Sequence, residues 1–424
     1  MITFRPSELK ASVWTFLSVC IRTFFNLIIS KLFATYFGAS GLALLAHFQN
    51  LLGMVTALAG EGLNKGIIKH LADRQLKTED RQVFFVAGLC INVLIFLVAC
   101  LLAFFYQENL MLIFGESFSF GIWALFVGIP LLANLLNLFL IAVVQSEQHY
   151  KLFAFLNTLN IILSTLCIYL SMYYNAITFA LIAYGMGQGI SLFITLPFAR
   201  KILQQFINLS ALSTQKIKQK ALLLTDFMAI GLSIVLFNRF GVYLLREYNI
   251  TVFGMEQTGF WEAIMRLSEG YTFAFNATFV VVFYPKVSSL VSEPEKLRKY
   301  LGQTFKILIP LLAVGLYAVY FLRVHLIVLL FDESFLPALY LVSGVIIGDF
   351  FKLINYLLSN ILMAQGRTRL FIALQGIFVG QFFLSVYFLA PTFGLSSLPL
   401  TWLISYVVSV FVLLLILRKT LWGC

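Results

Sequence analysis

A chain of 424 residues that is 61% hydrophobic and only 11% charged departs from soluble domains, where about a quarter of residues are charged. It reads as a polytopic membrane protein whose apolar surface is needed against lipid as well as in a core. The net charge of +11 does not indicate a nucleic-acid partner, because the basic residues gather at the ends of apolar runs, where positive-inside topology accounts for them.

Met1–Lys10 is polar, lacks a cleaved-signal pattern and runs directly into a long apolar stretch. From there, apolar runs separated by short polar breaks give twelve expected spans, near 11–35, 42–68, 82–105, 119–144, 152–174, 177–199, 221–245, 257–284, 303–322, 337–363, 370–390 and 394–417. All are expected to be helical, since lipid leaves only helices or closed barrels with a satisfied backbone, and barrels do not read as runs of about 20 apolar residues. The fold class is therefore all-α integral membrane. Twenty-one lysines and arginines occupy the termini and one alternating set of connections, against only Arg246 and Arg323 in the other set. That asymmetry places both termini in the cytoplasm.

The chain also repeats itself. Phe114-Gly115-Glu116-Ser117-Phe118 returns as Phe331-Asp332-Glu333-Ser334-Phe335, Phe37-Gly38 as Phe253-Gly254, and Lys151-Leu152-Phe153 as Arg369-Leu370-Phe371. The offsets are 217, 216 and 218 residues, and each pair holds the same place in the span order. A six-plus-six duplication follows, with lobes 1–210 and 211–424 related by an axis along the membrane normal. The connections on the outer side are short, so no catalytic ectodomain is expected, and the chemistry belongs within the membrane.

A charge at the centre of a span costs about 2.5–3.5 kcal/mol on insertion scales, so intramembrane charges are functional candidates. Six cations fall within spans, Arg22, Lys31, Lys65, Arg239, Arg266 and Lys352, and five acids, Glu61, Asp226, Glu262, Glu269 and Asp349. Glu61 with Lys65, Asp349 with Lys352, and the series Glu262, Arg266, Glu269 are spaced three or four apart and so share helix faces. They read either as mutually neutralised walls or as proton or cation sites. Arg22 and Arg239 have no such neighbour and lie 217 apart, the repeat offset. Two planar guanidinium forks, one from each lobe, suit a diphosphate; the competing reading pairs each with an acid on another helix, Asp226 being the plausible one. Lys31 lies near the end of its span, where it can snorkel. Polar stripes at Asn157, Asn160 and Ser164, at Pro130, Asn134 and Asn137, and at Thr401, Ser405 and Ser409 could hydrogen-bond a sugar or join helices. The five cysteines and four histidines show no metal spacing, and there is no nucleophile elbow or phosphate loop. No cofactor is expected, and a proton or sodium gradient is the expected energy source.

Lys10-Ala11-Ser12-Val13-Trp14-Thr15, the basic Arg22 and Lys31, the turn Phe37–Leu42, Leu58-Ala59-Gly60-x-Gly62 with Gly66 and Lys69, and Gly348-Asp349-Phe350-Phe351-Lys352 together resemble the Wzx-type polysaccharide flippases of the O-antigen and lipid III kind. The resemblance implies the fold of the multidrug/oligosaccharidyl-lipid/polysaccharide exporter superfamily, two six-helix bundles in a V around a central cavity. It implies no enzyme but a transporter of the bacterial inner membrane. The substrate would be an undecaprenyl-diphosphate-linked oligosaccharide, carried from the cytoplasmic to the periplasmic leaflet, with a polysaccharide polymerase and a chain-length regulator as partners. Arg22 and Lys31 fall where such proteins are expected to be basic, whereas Glu61 and Lys65 stand where smaller or uncharged residues are expected. On this reading Arg22, Arg239, Arg266, Lys352, Lys31 and Lys65 would meet the diphosphate and glycan, and Asp349, Glu269, Asp226, Glu262 or Glu61 would take up the coupling ion. The rivals are a multidrug/cation antiporter of the same superfamily, whose cationic substrates would favour an acidic cavity, and a membrane enzyme of polysaccharide assembly.

Overall fold

Gly38 and Gly254 hold the same unusual backbone, φ 64° with ψ −161° and φ 85° with ψ 167°, a region that a Cβ makes prohibitive. The computed structural model that shows this describes residues 6–73, 75–107, 121, 124–206, 213–291 and 293–422. Among them six residues have positive φ, and they fall into three pairs: Gly38 with Gly254, Gln148 with Gly366, and Asn175 with Gly394. The separations are 216, 218 and 219 residues. Each pair ends one helix and starts the next, so the duplication legible in the residues is also present in the backbone. Hydrogen bonding repeats it. Asn137 donates to Ser191 Oγ, and Asn355 donates to Ser409 Oγ, 218 positions further on.

Every element is helical among the described residues. α1 (Pro6–Ala57) is broken at Gly38 and continues through a π-helical turn, Leu58–Leu63, into α2 (Asn64–Ala72). α3 is Thr78–Phe105. A π turn, Ala124–Gly128, leads into α4 (Ile129–Ser146), followed by α5 (Tyr150–Ser171) and α6 (Ile177–Leu203). α7 (Thr214–Ile234) passes through a third π turn, Val235–Phe240, into α8 (Gly241–Phe253). α9 (Met255–Leu290), α10 (Pro294–Leu330), α11 (Leu339–Ala364), α12 (Thr368–Phe393) and α13 (Ser397–Leu421) complete the chain.

Among the described residues, eight helical stretches are long and apolar enough to cross a bilayer, which makes this a multi-pass membrane protein. Two of the eight, Phe16–Ala72 and Arg369–Leu421, have 57 and 53 residues, about 80 Å or more at 1.5 Å per residue, against a hydrocarbon core of about 30 Å. Gly38 and Gly394 break them near the middle. The repeat copy at Phe114–Phe118 lies outside the described residues. In the other copy Phe331 and Phe335 are both buried, their ring centroids 5.4 Å apart.

The chain gathers into two compact units, Met1–Tyr36 with Leu44–Leu244, and Phe37–Ala43 with Leu245–Cys424. In the first, α4 packs on α6 and α7 crosses the π turn after α1. That crossing is a backbone-to-backbone approach. A Cβ on Gly62 would lie 3.1 Å from Gly231 Cα, and one on Gly66 would meet the Phe227 ring at 2.9 Å. Gly62 and Gly66 are therefore the contact surface for α7, since small residues let membrane helices approach closely. Lys220 of α7 pairs with Asp80 of α3 at 3.1 Å, and Arg81 ties the Leu71 carbonyl to Glu147. These basic residues hold helices of the first unit together. The core of the first unit is a continuous cluster including Leu63, Ile67, Phe84, Leu135 and Phe139. In the second unit α11 packs on α13 and α9 on α11, over a core that includes Phe283, Leu301, Leu357 and Leu417.

Candidate functional site

Asp349 is the most deeply placed acid among the described residues, with no solvent exposure. An isolated carboxylate in an apolar medium would cost several kcal/mol, so it requires partners. α11 supplies Lys352 one turn on, its Nζ 3.7 Å from Asp349 Oδ1. α9 supplies Tyr271, whose hydroxyl donates to Oδ2, and α13 supplies Trp402, whose Nε1–H donates to Oδ1 at 3.0 Å. Lys352 itself reaches Ser268 Oγ at 3.4 Å and lies 5.1 Å over the Trp402 ring, a cation–π arrangement. Gly348 makes room for the indole, because a Cβ there would stand 2.5 Å from Trp402 Cδ1. Three helices thus converge on one carboxylate with two neutral donors and one ammonium. Protonating it, or giving it a metal cation, would remove the anion that holds Lys352, so charge uptake here changes which helices attract each other.

The repeat shows what is particular to this cluster. Shifted by 218, Asp349, Lys352, Trp402 and Tyr406 correspond to Leu131, Asn134, Tyr184 and Gln188. There Leu131 is buried, and Asn134 donates to Gln188 Oε1 at 2.8 Å, a neutral join between α4 and α6. Asn160 adds bonds to Ser191 at 3.1 Å and to Asn134 at 3.5 Å. Asn134, Asn137 and Asn160 of the polar stripes thus bond across helices, while Asn157 and Ser164 bond carbonyls of their own helix. The charged version belongs to the second unit.

Sequence reasoning missed a second ion pair. Arg246 was expected in an outer connection, yet α8 continues to Phe253 and carries it inside, where it is 7% exposed. Its Nε donates to Glu262 Oε1 at 2.7 Å. The polar run Arg246-Glu247-Tyr248-Asn249 looks like a break, but Arg246 and Asn249 are buried and the helix carries through. Glu262 is thus engaged by α8 as well as sharing a helix with Arg266, which is half-buried. Replacing Arg246 by Met is expected to cost about 3–5 kcal/mol, because it leaves a carboxylate buried and unpaired. Adding Glu262→Leu should recover most of that loss. Thermal unfolding in detergent measures it, and equal losses in the single and double variants would deny the pairing.

Arg22 and Arg239 are both exposed in the structure and form no ion pair with any described residue. Arg239 lies in the π turn before α8, its carbonyl accepting from Asn50 Nδ2 at 2.9 Å. Its guanidinium lies against Gly53, where a Cβ would be 3.2 Å from Nη1. Asp226 is exposed on α7 and pairs with neither arginine. Lys31, Lys65 and Glu269 are also exposed. The side chain of Glu61 lies outside the described residues, while its backbone falls in the π turn Leu58–Leu63. Tyr271 and Trp402 went unread in the sequence because an aromatic at helical spacing looks like core.

No family model matches the chain. Over 413 residues it is 26% identical to the lipid III flippases of Escherichia coli K12 and of Shigella flexneri, across 94% of this chain and 95% of each relative. An inward-facing multidrug resistance MATE family transporter of the MOP superfamily superposes with a TM-score of 0.73 at 14% identity, covering 95% of both chains. The lipid II flippase MurJ in an inward closed conformation superposes with a TM-score of 0.70 at 17% identity, covering 97% of this chain and 87% of MurJ. The chain has the fold of the MOP-superfamily transporters. The resemblance to polysaccharide flippases carried by the first two spans holds over nearly the whole length. The relatives are named as flippases, and the solved neighbours as a transporter and a flippase.

Proposed function

We propose that this MOP-superfamily protein is a flippase for an undecaprenyl-diphosphate-linked oligosaccharide, moving completed repeat units from the cytoplasmic to the periplasmic leaflet for a cell-surface polysaccharide. The observation that carries the reading is the full-length similarity to proteins named for lipid III flipping. On this reading the twelve spans form two six-helix lobes, 1–210 and 211–424, in a V around a central cavity. The protein sits in the bacterial inner membrane with both termini cytoplasmic, beside a polysaccharide polymerase and a chain-length regulator.

Arg22 and Arg239, assisted by Arg266, Lys352, Lys31 and Lys65, neutralise the diphosphate and order the glycan. Arginine grips phosphate oxygens through two parallel hydrogen bonds, and both proposed arginines are free of acids among the described residues. Asp349 leads the coupling acids because it is buried against three donors, so a proton or sodium ion bound there alters the hold of α11 on α9 and α13. Glu269, Asp226 and Glu61 remain further coupling candidates; Glu262 is committed to Arg246.

The test is a lipid extract from cells deleted for this gene, in a background that survives the block, analysed by mass spectrometry. Accumulated polyprenyl-diphosphate oligosaccharide of full repeat-unit length is expected. Truncated glycans or bare carrier would point to an enzyme instead. The MATE likeness favours drug export as the second reading; a normal lipid profile with raised dye sensitivity would select it.

A further inference from the structure

Within the second unit, α11, α12 and α13 enclose a cavity of about 540 Å³, a size typical of small-ligand sites. Its wall alternates rings with polar groups. Phe378 and Tyr406 lie with centroids 4.9 Å apart, and Lys352, Asn355, Asn360, Gln375 and Ser409 line the space, Asn355 donating to Ser409 Oγ and Asn360 to the Tyr356 carbonyl. The Gln375 amide and the Tyr406 hydroxyl have no hydrogen-bond partner among the described residues. The repeat again gives the contrast. The first-unit positions equivalent to Lys352, Phe378 and Ser409 are Asn134, Asn160 and Ser191, and these three bond one another. In the second unit the corresponding residues do not close on each other, and the space stays open.

We propose that this cavity is a sugar-binding subsite, seating one or two pyranose residues of the lipid-linked glycan inside the second unit. The inference rests on the flippase reading and names where part of its substrate is recognised. A pyranose offers apolar ring faces and a girdle of hydroxyls, which match an aromatic wall flanked by the Gln375 amide and the Tyr406 hydroxyl, whose donors and acceptors are unspent. A prenyl chain would leave Gln375 and the Tyr406 hydroxyl desolvated without partners, which is unfavourable. The Lys352 ammonium lines the same cavity while holding Asp349 at 3.7 Å. A sugar seated there is therefore in reach of the coupling cluster, and glycan recognition and ion uptake share one side chain.

The experiment uses the full-length protein in lipid nanodiscs and native mass spectrometry. It compares bare undecaprenyl diphosphate with the lipid-linked oligosaccharide extracted from gene-deleted cells. The wild type should hold the glycosylated lipid at least about tenfold more tightly, the worth of one or two net hydrogen bonds. Gln375→Leu should reduce that preference and Gln375→Trp, which fills the cavity, should abolish it, with bare-carrier binding unchanged in both as evidence of a folded protein. Preference kept in Gln375→Trp would overturn the subsite while leaving the flippase reading intact. Bare-carrier binding lost in parallel would assign the cavity to the prenyl chain and overturn it too. If the wild type bound neither lipid, both readings would fall together.

Discussion

Asp349→Asn is expected to stop transport while the protein still inserts and folds. The amide has the shape of the carboxylate. Its oxygen can accept from Trp402 Nε1, and its NH₂ can donate to the Tyr271 hydroxyl, so both neutral contacts survive. What is lost is the titratable anion facing Lys352 at 3.7 Å, and with it the ability to exchange a proton or cation. Lys352→Met makes the opposite change. It leaves the fully buried carboxylate with neutral donors alone, and about 3–5 kcal/mol of stability should go with it. The double variant removes both charges and should unfold near the wild-type temperature while remaining inactive. Accumulated lipid-linked oligosaccharide by mass spectrometry reports transport, and a melting curve in detergent reports the fold. Wild-type transport by Asp349→Asn would remove this residue from the coupling machinery.

Replacing both Arg22 and Arg239 by Ala should abolish transport at unchanged protein levels. Neither arginine has an acid partner among the described residues, so truncation leaves no buried carboxylate behind and stability should move little. A charge-assisted hydrogen-bonding pair contributes about 1.5–3 kcal/mol, which is roughly 10- to 100-fold in affinity for each arginine lost. Lysine at either position keeps the charge and loses the fork, so Arg22→Lys and Arg239→Lys should retain intermediate activity. Full activity in the double alanine variant would sink the diphosphate assignment.

Much of this was readable from residue patterns. Phe37-Gly38 and Phe253-Gly254 announced a repeated turn, and the structure gives both glycines the backbone only glycine tolerates. Such turns are local, so their chemistry is written where they occur. Asp349 and Lys352 were recognisable as a pair because three residues along a helix is a fixed geometry. Arg246 was misplaced because a polar run ends a hydropathy window whether or not it ends a helix. Its partner Glu262 lies 16 residues away, beyond any local rule. Tyr271 and Trp402 escaped notice for a similar reason: their donors matter only once α9 and α13 are packed around α11.

The sequence by itself determined that the chain is an all-helical, multi-pass, internally duplicated membrane protein, because hydropathy, charge asymmetry and a shared offset are properties of order along the chain. It also named the charges within its expected spans, though not the buried Arg246. The tertiary structure alone decided which of those charges are spent. It paired Glu262 with Arg246 and surrounded Asp349 with Tyr271, Trp402 and Lys352. It also filled the first copy of the site with bonded amides while leaving the second open. A buried charge is governed by the groups within a few ångströms of it in a medium that screens weakly, and those neighbours come from helices far apart in the chain.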